Sequence, residues 1–147
     1  MLVLAVVALL GCKDRKRSPY AEDARRCHDS EMSCAVPIFN VSDLRASQRY
    51  YRDVLGFKVN WEDGEPPDFT SVSRGDAVLF LCQHCQGTPG AWTMIFSRDV
   101  DALHREIAAK KALIRMPPRD MPWHLREMHV SDLDGNVIRF GTGIDHD

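Results

Sequence analysis

The chain predicts an α+β fold built from two βαβββ modules, with mixed sheets around a cavity. Three observations carry that prediction. A strand-type run, an amphipathic helix and three more strand-type runs occur in this order twice. Each helix opens on an aspartate cap, Asp43 in the first half and Asp99 in the second. The last strands of the two halves, around Leu79 and Ile138, follow their helices at similar distances, which marks an internal repeat. Each unit has one helix and a sheet face with nowhere else to bury. The two are therefore expected to pack together and leave a concave surface between the sheets, the kind of place small molecules bind.

The first module is read over residues 35–82. Ala35 to Val41 is an apolar strand, and Ser42 or Asp43 caps the helix after it. Leu44, Ser47, Tyr51, Val54 and Leu55 give that helix a single buried stripe, and Gly56 ends it. Phe57 to Trp61 is the second strand, followed by a turn-rich loop over residues 62–67. Phe69 to Ser73 and Ala77 to Cys82 form a hairpin across Arg74-Gly75-Asp76. Residues 83–90 are a polar linker.

The pattern then repeats over residues 91–141. Trp92 to Ser97 is a strand, and Val100, Leu103, Ile107 and Ala108 form the stripe of the second helix. Ala112 to Arg115 is a short strand that stops before Met116-Pro117-Pro118. Glu127 to Ser131 and Val137 to Phe140 pair across the turn Asp132-Leu133-Asp134-Gly135-Asn136.

Residues 33–147 thus hold the domain, and residues 1–32 are an extension of another character. Met1 to Leu10 is almost wholly apolar, and a basic run, Lys13-Asp14-Arg15-Lys16-Arg17, follows Gly11-Cys12. A bilayer-spanning helix takes about 20 apolar residues, and this run falls well short. Leu9-Leu10-Gly11-Cys12 resembles a bacterial lipoprotein cleavage box, which would make Cys12 a membrane anchor. No Lys or Arg precedes the apolar run, whereas a signal peptide normally starts with one. That favours an overlong start, with Met32 as the true one and a cytoplasmic protein. On either reading residues 13–32 are polar and mobile.

A net charge of −2 provides no basic field for nucleic acid. The 5 cysteines are an odd number at scattered spacings, which does not describe a disulfide framework. Cys82-Gln83-His84-Cys85 has the spacing of half a zinc site or of a redox pair, but no second pair completes a tetrahedral set. It reads as two thiols at a strand end. No nucleophile–base pair, glycine-rich phosphate loop or nucleotide fingerprint is present.

Several stretches resemble the vicinal oxygen chelate superfamily, which includes glyoxalase I, extradiol dioxygenases and bleomycin resistance proteins. They are Ala35-Val36-Pro37-Ile38, Tyr50 to Phe57, Pro122-Trp123, Arg126-Glu127-Met128 and Asp132 to Asn136. The first strand and the Pro-Trp and Arg-Glu segments look more like the bleomycin resistance branch. Metal-dependent members of the superfamily place four His, Gln or Glu ligands on four strands facing the cavity. The resemblance puts these positions at Val36, Phe80, Thr93 and Arg139. None of the four supplies a ligand of that kind, and Arg139 brings a repelling charge. No metal or other cofactor and no catalytic residue is therefore assigned.

The implied function is a bleomycin-resistance-like protein that binds and sequesters a small molecule, such as a cationic glycopeptide antibiotic. The alternative is a lyase, isomerase or dioxygenase of the same superfamily. The candidate ligand-binding residues are Trp61, Phe80, Trp123, Arg126, Glu127 and Arg139. Strand alternation turns Arg139 toward the cavity, and Glu127 on the neighbouring strand is its expected partner. Trp61 and Trp123 offer large contact area at low entropic cost. Trp92 is expected in the core. The resemblance further implies a homodimer with ligand clefts between subunits. Pro37 stands where the first strand would cross to the partner, and proline suits such an edge because it donates nothing to the ladder.

Overall fold

A computed structural model describes residues 34–144. The extension over 1–32, with Cys12 and Met32, lies outside the described residues. The domain contains the predicted two modules. The first comprises β1 (Ile38–Val41), α1 (Leu44–Arg49, continued by a π-helical turn over Tyr50–Val54), β2 (Lys58–Gly64), β3 (Pro67–Arg74) and β4 (Ala77–Gln83). The second comprises β5 (Trp92–Phe96), α2 (Val100–Ala109), β6 (Leu113–Met121), β7 (Leu125–Ser131) and β8 (Val137–Gly143). Each module makes a four-stranded mixed sheet, in the orders β1-β4-β3-β2 and β5-β8-β7-β6. The first strand runs parallel to the last, and the other pairings are antiparallel.

The helix caps behave as the sequence predicts. The Asp43 carboxylate accepts from the Ala46 N–H and the Asp99 carboxylate from the Ala102 N–H, each at 2.9 Å. Gly56 follows the first helix with φ +72°, a left-handed conformation that glycine adopts without a Cβ clash. The π-helical turn is unforeseen. It shifts the helix register so that Tyr50 and Tyr51 are buried side by side, and such bulges mark functional or strained places. The Tyr50 hydroxyl donates to the Ser131 carbonyl at 2.8 Å and accepts from the Leu113 N–H at 2.9 Å. A helix of the first module thereby grips two strands of the second.

Several strand boundaries differ from expectation. β1 begins at Ile38, after Pro37, instead of at Ala35. β2 and β3 extend through most of the region read as a loop, leaving only Glu65 and Pro66 between them. β6 runs on through Pro117-Pro118. It can do so because it is the sheet edge, where a missing N–H breaks no ladder, and its pairing with β7 slips around Met116.

The helix-facing sides of both sheets share one core. Phe39, Leu44, Tyr51, Leu79 and Leu81 from the first module join Ile107, Met128, Val130, Ile138 and Phe140 from the second. The modules are locked together by the turn between β7 and β8. Asp132 Oδ1 accepts from the backbone N–H groups of Asp134 and Asn136, both at 2.9 Å. Its Oδ2 accepts from Asn136 Nδ2 at 2.8 Å and from the Tyr51 hydroxyl at 3.2 Å. Asn136 Nδ2 also donates to the Asn40 carbonyl at 3.0 Å, and its Oδ1 accepts from the N–H groups of Gly90 and Ala91 at 3.0 and 3.1 Å. Every polar atom of this buried amide therefore has a partner.

Truncating Asn136 to alanine strands two backbone N–H groups, one carbonyl and part of the Asp132 carboxylate. The expected loss is about 3 kcal/mol, since each stranded buried group costs roughly 1–3 kcal/mol. Urea denaturation of Asn136→Ala measures it, and a loss below about 1 kcal/mol would show that water replaces the amide.

Candidate functional site

Strand alternation sorts the sequence-predicted residues into three places. On β7 and β8, Met128, Val130, Ile138 and Phe140 point into the core. Glu127, His129, Val137 and Arg139 therefore occupy the opposite face. Cross-strand register places His129 directly opposite Arg139, with Glu127 one diagonal step away.

Glu127 and Arg139 pair as expected. Arg139 Nη2 donates to the two Glu127 oxygens at 2.8 and 2.7 Å, and Nε lies 3.2 Å from Oε2. Trp123 joins them, its Nε1–H donating to Glu127 Oε1 at 2.6 Å. The Arg139 guanidinium carbon lies 5.8 Å from the Trp123 ring centroid, a cation–π distance. The Glu127 side chain is 0% exposed while Arg139 is 34% exposed, so the carboxylate forms the floor and the guanidinium the surface. Burial alone would raise the Glu127 pKa. The Trp123 and Arg139 hydrogen bonds and the Arg139 charge outweigh it and hold the carboxyl below its ordinary value.

Two further members of this cluster escaped sequence reasoning. His129 Nε2 lies 3.7 Å from Glu127 Oε2, and burial followed by the Arg139 charge pushes its pKa down, which favours the neutral ring. Trp92 meets His129 edge-on with centroids 5.3 Å apart. The expectation that Trp92 is a core residue is wrong, since it is 56% exposed. It heads an edge strand and shares the Val137 and Arg139 face. The period-two spacing of Glu127 and His129 was the available signal for the histidine. Gly141 completes the floor, because a Cβ there would collide with the Met94 methyl and lie 3.5 Å from the Glu127 Cγ.

Arg126 does not belong to this cluster. It neighbours Glu127 in the strand and so faces the other way, pairing with Asp101 of α2 and Asp120 of β6. Trp61 and Phe80 come together on the other sheet. Trp61 stacks on Phe69 at 5.9 Å and meets the Phe80 edge at 5.3 Å, leaving its side chain largely buried. Two open clefts of about 420 and 500 Å³ lie where β4 approaches β5. Val36 and Thr93 line the larger, together with Pro37, Val78 and Met94, while Phe96 borders both. Neither cleft includes Arg139, Glu127 or Trp123.

The register sets Ile38 beside Phe80 and Met94 beside Arg139, adding two neighbours to the positions that the resemblance gives, Val36, Phe80, Thr93 and Arg139. Isoleucine and phenylalanine offer no donor, methionine offers only a soft thioether, and a guanidinium repels a cation. The residues do not fit a divalent ion. Among the described residues no three His, Cys, Asp or Glu side chains gather closely enough to hold one.

Replacing Arg139 with methionine keeps bulk and leaves Glu127 buried with only Trp123 and His129 near it. The expected cost near neutral pH is roughly 3 kcal/mol, the usual loss when one partner of a buried pair is removed. The deficit must depend on pH. In the native protein the lowered Glu127 pKa contributes stability above the unfolded value, which is lost as pH falls through the folded value. In the variant, burial dominates and raises that pKa, so stability falls as pH rises. Denaturation of both proteins from pH 4 to pH 8 should therefore show the gap widening. A constant gap would mean that the charge of Glu127 is not what Arg139 serves.

Comparison with known proteins gives the family. No curated protein matches the chain. Among solved structures, TioX from Micromonospora sp. ML1 superposes with a TM-score of 0.65 at 20% identity, covering 76% of this chain and 100% of that one. The bleomycin resistance determinant encoded on transposon Tn5 gives 0.66 at 19% identity, covering 76% and 98%. A bleomycin-binding protein complexed with bleomycin gives 0.65 at 19% identity, covering 76% and 99%. Identities this low establish the shared fold. The family model described as "Glyoxalase superfamily protein" matches residues 22–147, most of the chain, so the protein belongs to the glyoxalase superfamily.

Proposed function

We propose that this protein binds and sequesters a small, planar, polar molecule without transforming it, in the manner of a bleomycin resistance protein. One observation carries the reading. Arg139, where the resemblance sets the superfamily's last metal position, is neutralised by the buried Glu127 and overlain by Trp123. The result is a surface with exposed aromatic area from Trp123 and Trp92 and donor groups at its centre. Such a surface suits stacking against a flat ligand with polar edges. Trp61 and Phe80, on the companion sheet, supply a second aromatic wall in this reading. The bleomycin-binding neighbours support the ligand class, and a cationic glycopeptide remains the first candidate.

We also infer a homodimer. Trp92 and Phe96 are 56% and 71% exposed on the same edge strand, beside the cleft lined by Ala35, Val36 and Pro37. A second copy covering this edge, with exchange of the segment before Pro37, would bury them and bring the two aromatic walls of different chains face to face. Sedimentation at micromolar concentration is expected to give a dimer, and a monomer would remove this inference.

Titration with bleomycin, other cationic glycopeptides and small planar aromatics tests the binding reading. A ligand should quench tryptophan fluorescence and saturate at about one per chain. Trp123→Ala should weaken it by about 2 kcal/mol, the loss expected of an anchor residue. The ligand recovered after long incubation should have an unchanged mass. A changed mass, with product exceeding one equivalent, would establish a glyoxalase- or dioxygenase-like enzyme instead.

A further inference from the structure

The linker after β4 carries a feature that ligand binding does not use. Cys82 and Cys85 are joined as a disulfide, with Cα atoms 5.6 Å apart. This separation lies within the range a disulfide requires. The sequence reading of two separate thiols is thus replaced by a linked pair. Its two sulfurs have different surroundings. Cys82 is the last buried residue of β4, and Cys85 is exposed in the turn that follows. Cys82 Sγ accepts a hydrogen bond from the Gln86 N–H at 2.9 Å. His84, between the two cysteines, has φ +56°, which curls the chain back so that the thiols meet.

We propose that Cys82 and Cys85 form a reversible thiol–disulfide exchange site for a small thiol of the glutathione class. The small thiolate attacks the exposed sulfur, Cys85 Sγ. A new S–S bond forms there and the Cys82–Cys85 bond breaks. Its electron pair passes to Cys82 Sγ, where the Gln86 N–H stabilises the departing thiolate. A second small thiolate attacks the small-molecule sulfur of the mixed disulfide and releases Cys85. Both protein thiolates take up protons. The protein gains two electrons and two protons, and two small thiols leave as their disulfide. In the oxidising direction, Cys82 resolves a mixed disulfide formed on Cys85.

The surrounding contacts favour a labile role over a structural one. The cross-link spans only two intervening residues, so it constrains the unfolded chain less than a longer loop would. It does control a local anchor. Asn40 Nδ2 lies 3.2 Å from the Gln86 carbonyl and 3.4 Å from the Gly87 carbonyl, and Gln83 Oε1 accepts from the Leu44 N–H that opens α1 at 2.7 Å. Cys82 also stands opposite Phe69, a member of the Trp61 and Phe80 aromatic cluster. The redox state thus reaches the end of β1, the start of α1 and one aromatic wall.

The test equilibrates the full-length protein in glutathione buffers of graded ratio, quenches with acid and alkylates free thiols. Tryptic peptide 75–98 contains both cysteines and no other, so mass spectrometry reads them together. The expected result is interconversion of doubly alkylated and unalkylated peptide at one midpoint, with any mixed disulfide on Cys85. In native Cys82→Ser, Cys85 should be glutathionylated at least about tenfold faster than Cys82 in native Cys85→Ser, because reactivity follows exposure. Independent titration of the two thiols, glutathione on Cys82, or a disulfide that resists reduction until the protein unfolds would overturn the proposal. The wild-type measurement decides the matter even where a variant fails to fold.

Discussion

Glu127 has no side-chain surface in contact with water, yet it carries a charge, and the second sheet is organised around that constraint. An unpaired carboxylate there would cost several kcal/mol. Arg139 and Trp123 meet the cost with direct hydrogen bonds, those of Arg139 from the neighbouring strand and that of Trp123 from the turn preceding β7. A one-residue slip between β7 and β8 would turn Arg139 into the core and leave Glu127 alone. The register is held by the Asp132–Asn136 turn. That turn in turn rests on the Asn40 carbonyl and the Tyr51 hydroxyl of the first module. The charge pair therefore depends on the contact between modules, and the exposed face built on Trp123 and Arg139 depends on the charge pair.

The same pair sets the chemistry at position 139, where the resemblance places a metal-binding carboxylate. A carboxylate at position 139 would help to hold a cation. An arginine there turns Glu127 from a potential ligand into a counter-ion. Trp123 then has both a donor role toward Glu127 and a ring face over the guanidinium, which restricts its rotamers. A pre-positioned aromatic ring loses less entropy on binding than a mobile one.

Much of this was legible in the sequence. The helix caps, the repeat, the Glu127–Arg139 pair and the turning of Arg139 away from the core all follow from local rules of capping and alternation. What escaped was set by tertiary structure. The π-helical turn that seats Tyr50 and Tyr51 leaves no local mark, because its register is decided by strands far along the chain. The sequence suggests a core position for Trp92 because an edge strand and a central strand look alike in hydrophobicity. It suggests a short β6 because Pro117-Pro118 ends most strands, and only its place at the sheet edge permits them. Arg126 adjoins Glu127 in sequence, but strand alternation separates the two.

The central claim is that Glu127 stays charged because Arg139 and Trp123 hold it so. Its direct measure is the pH titration of the Glu127 side-chain carboxyl carbon by NMR, followed together with the Trp123 indole N–H resonance. The account predicts a Glu127 midpoint below the ordinary glutamate value, with the Trp123 resonance moving at the same midpoint. A midpoint above the ordinary value, or an indole resonance indifferent to it, would contradict the account.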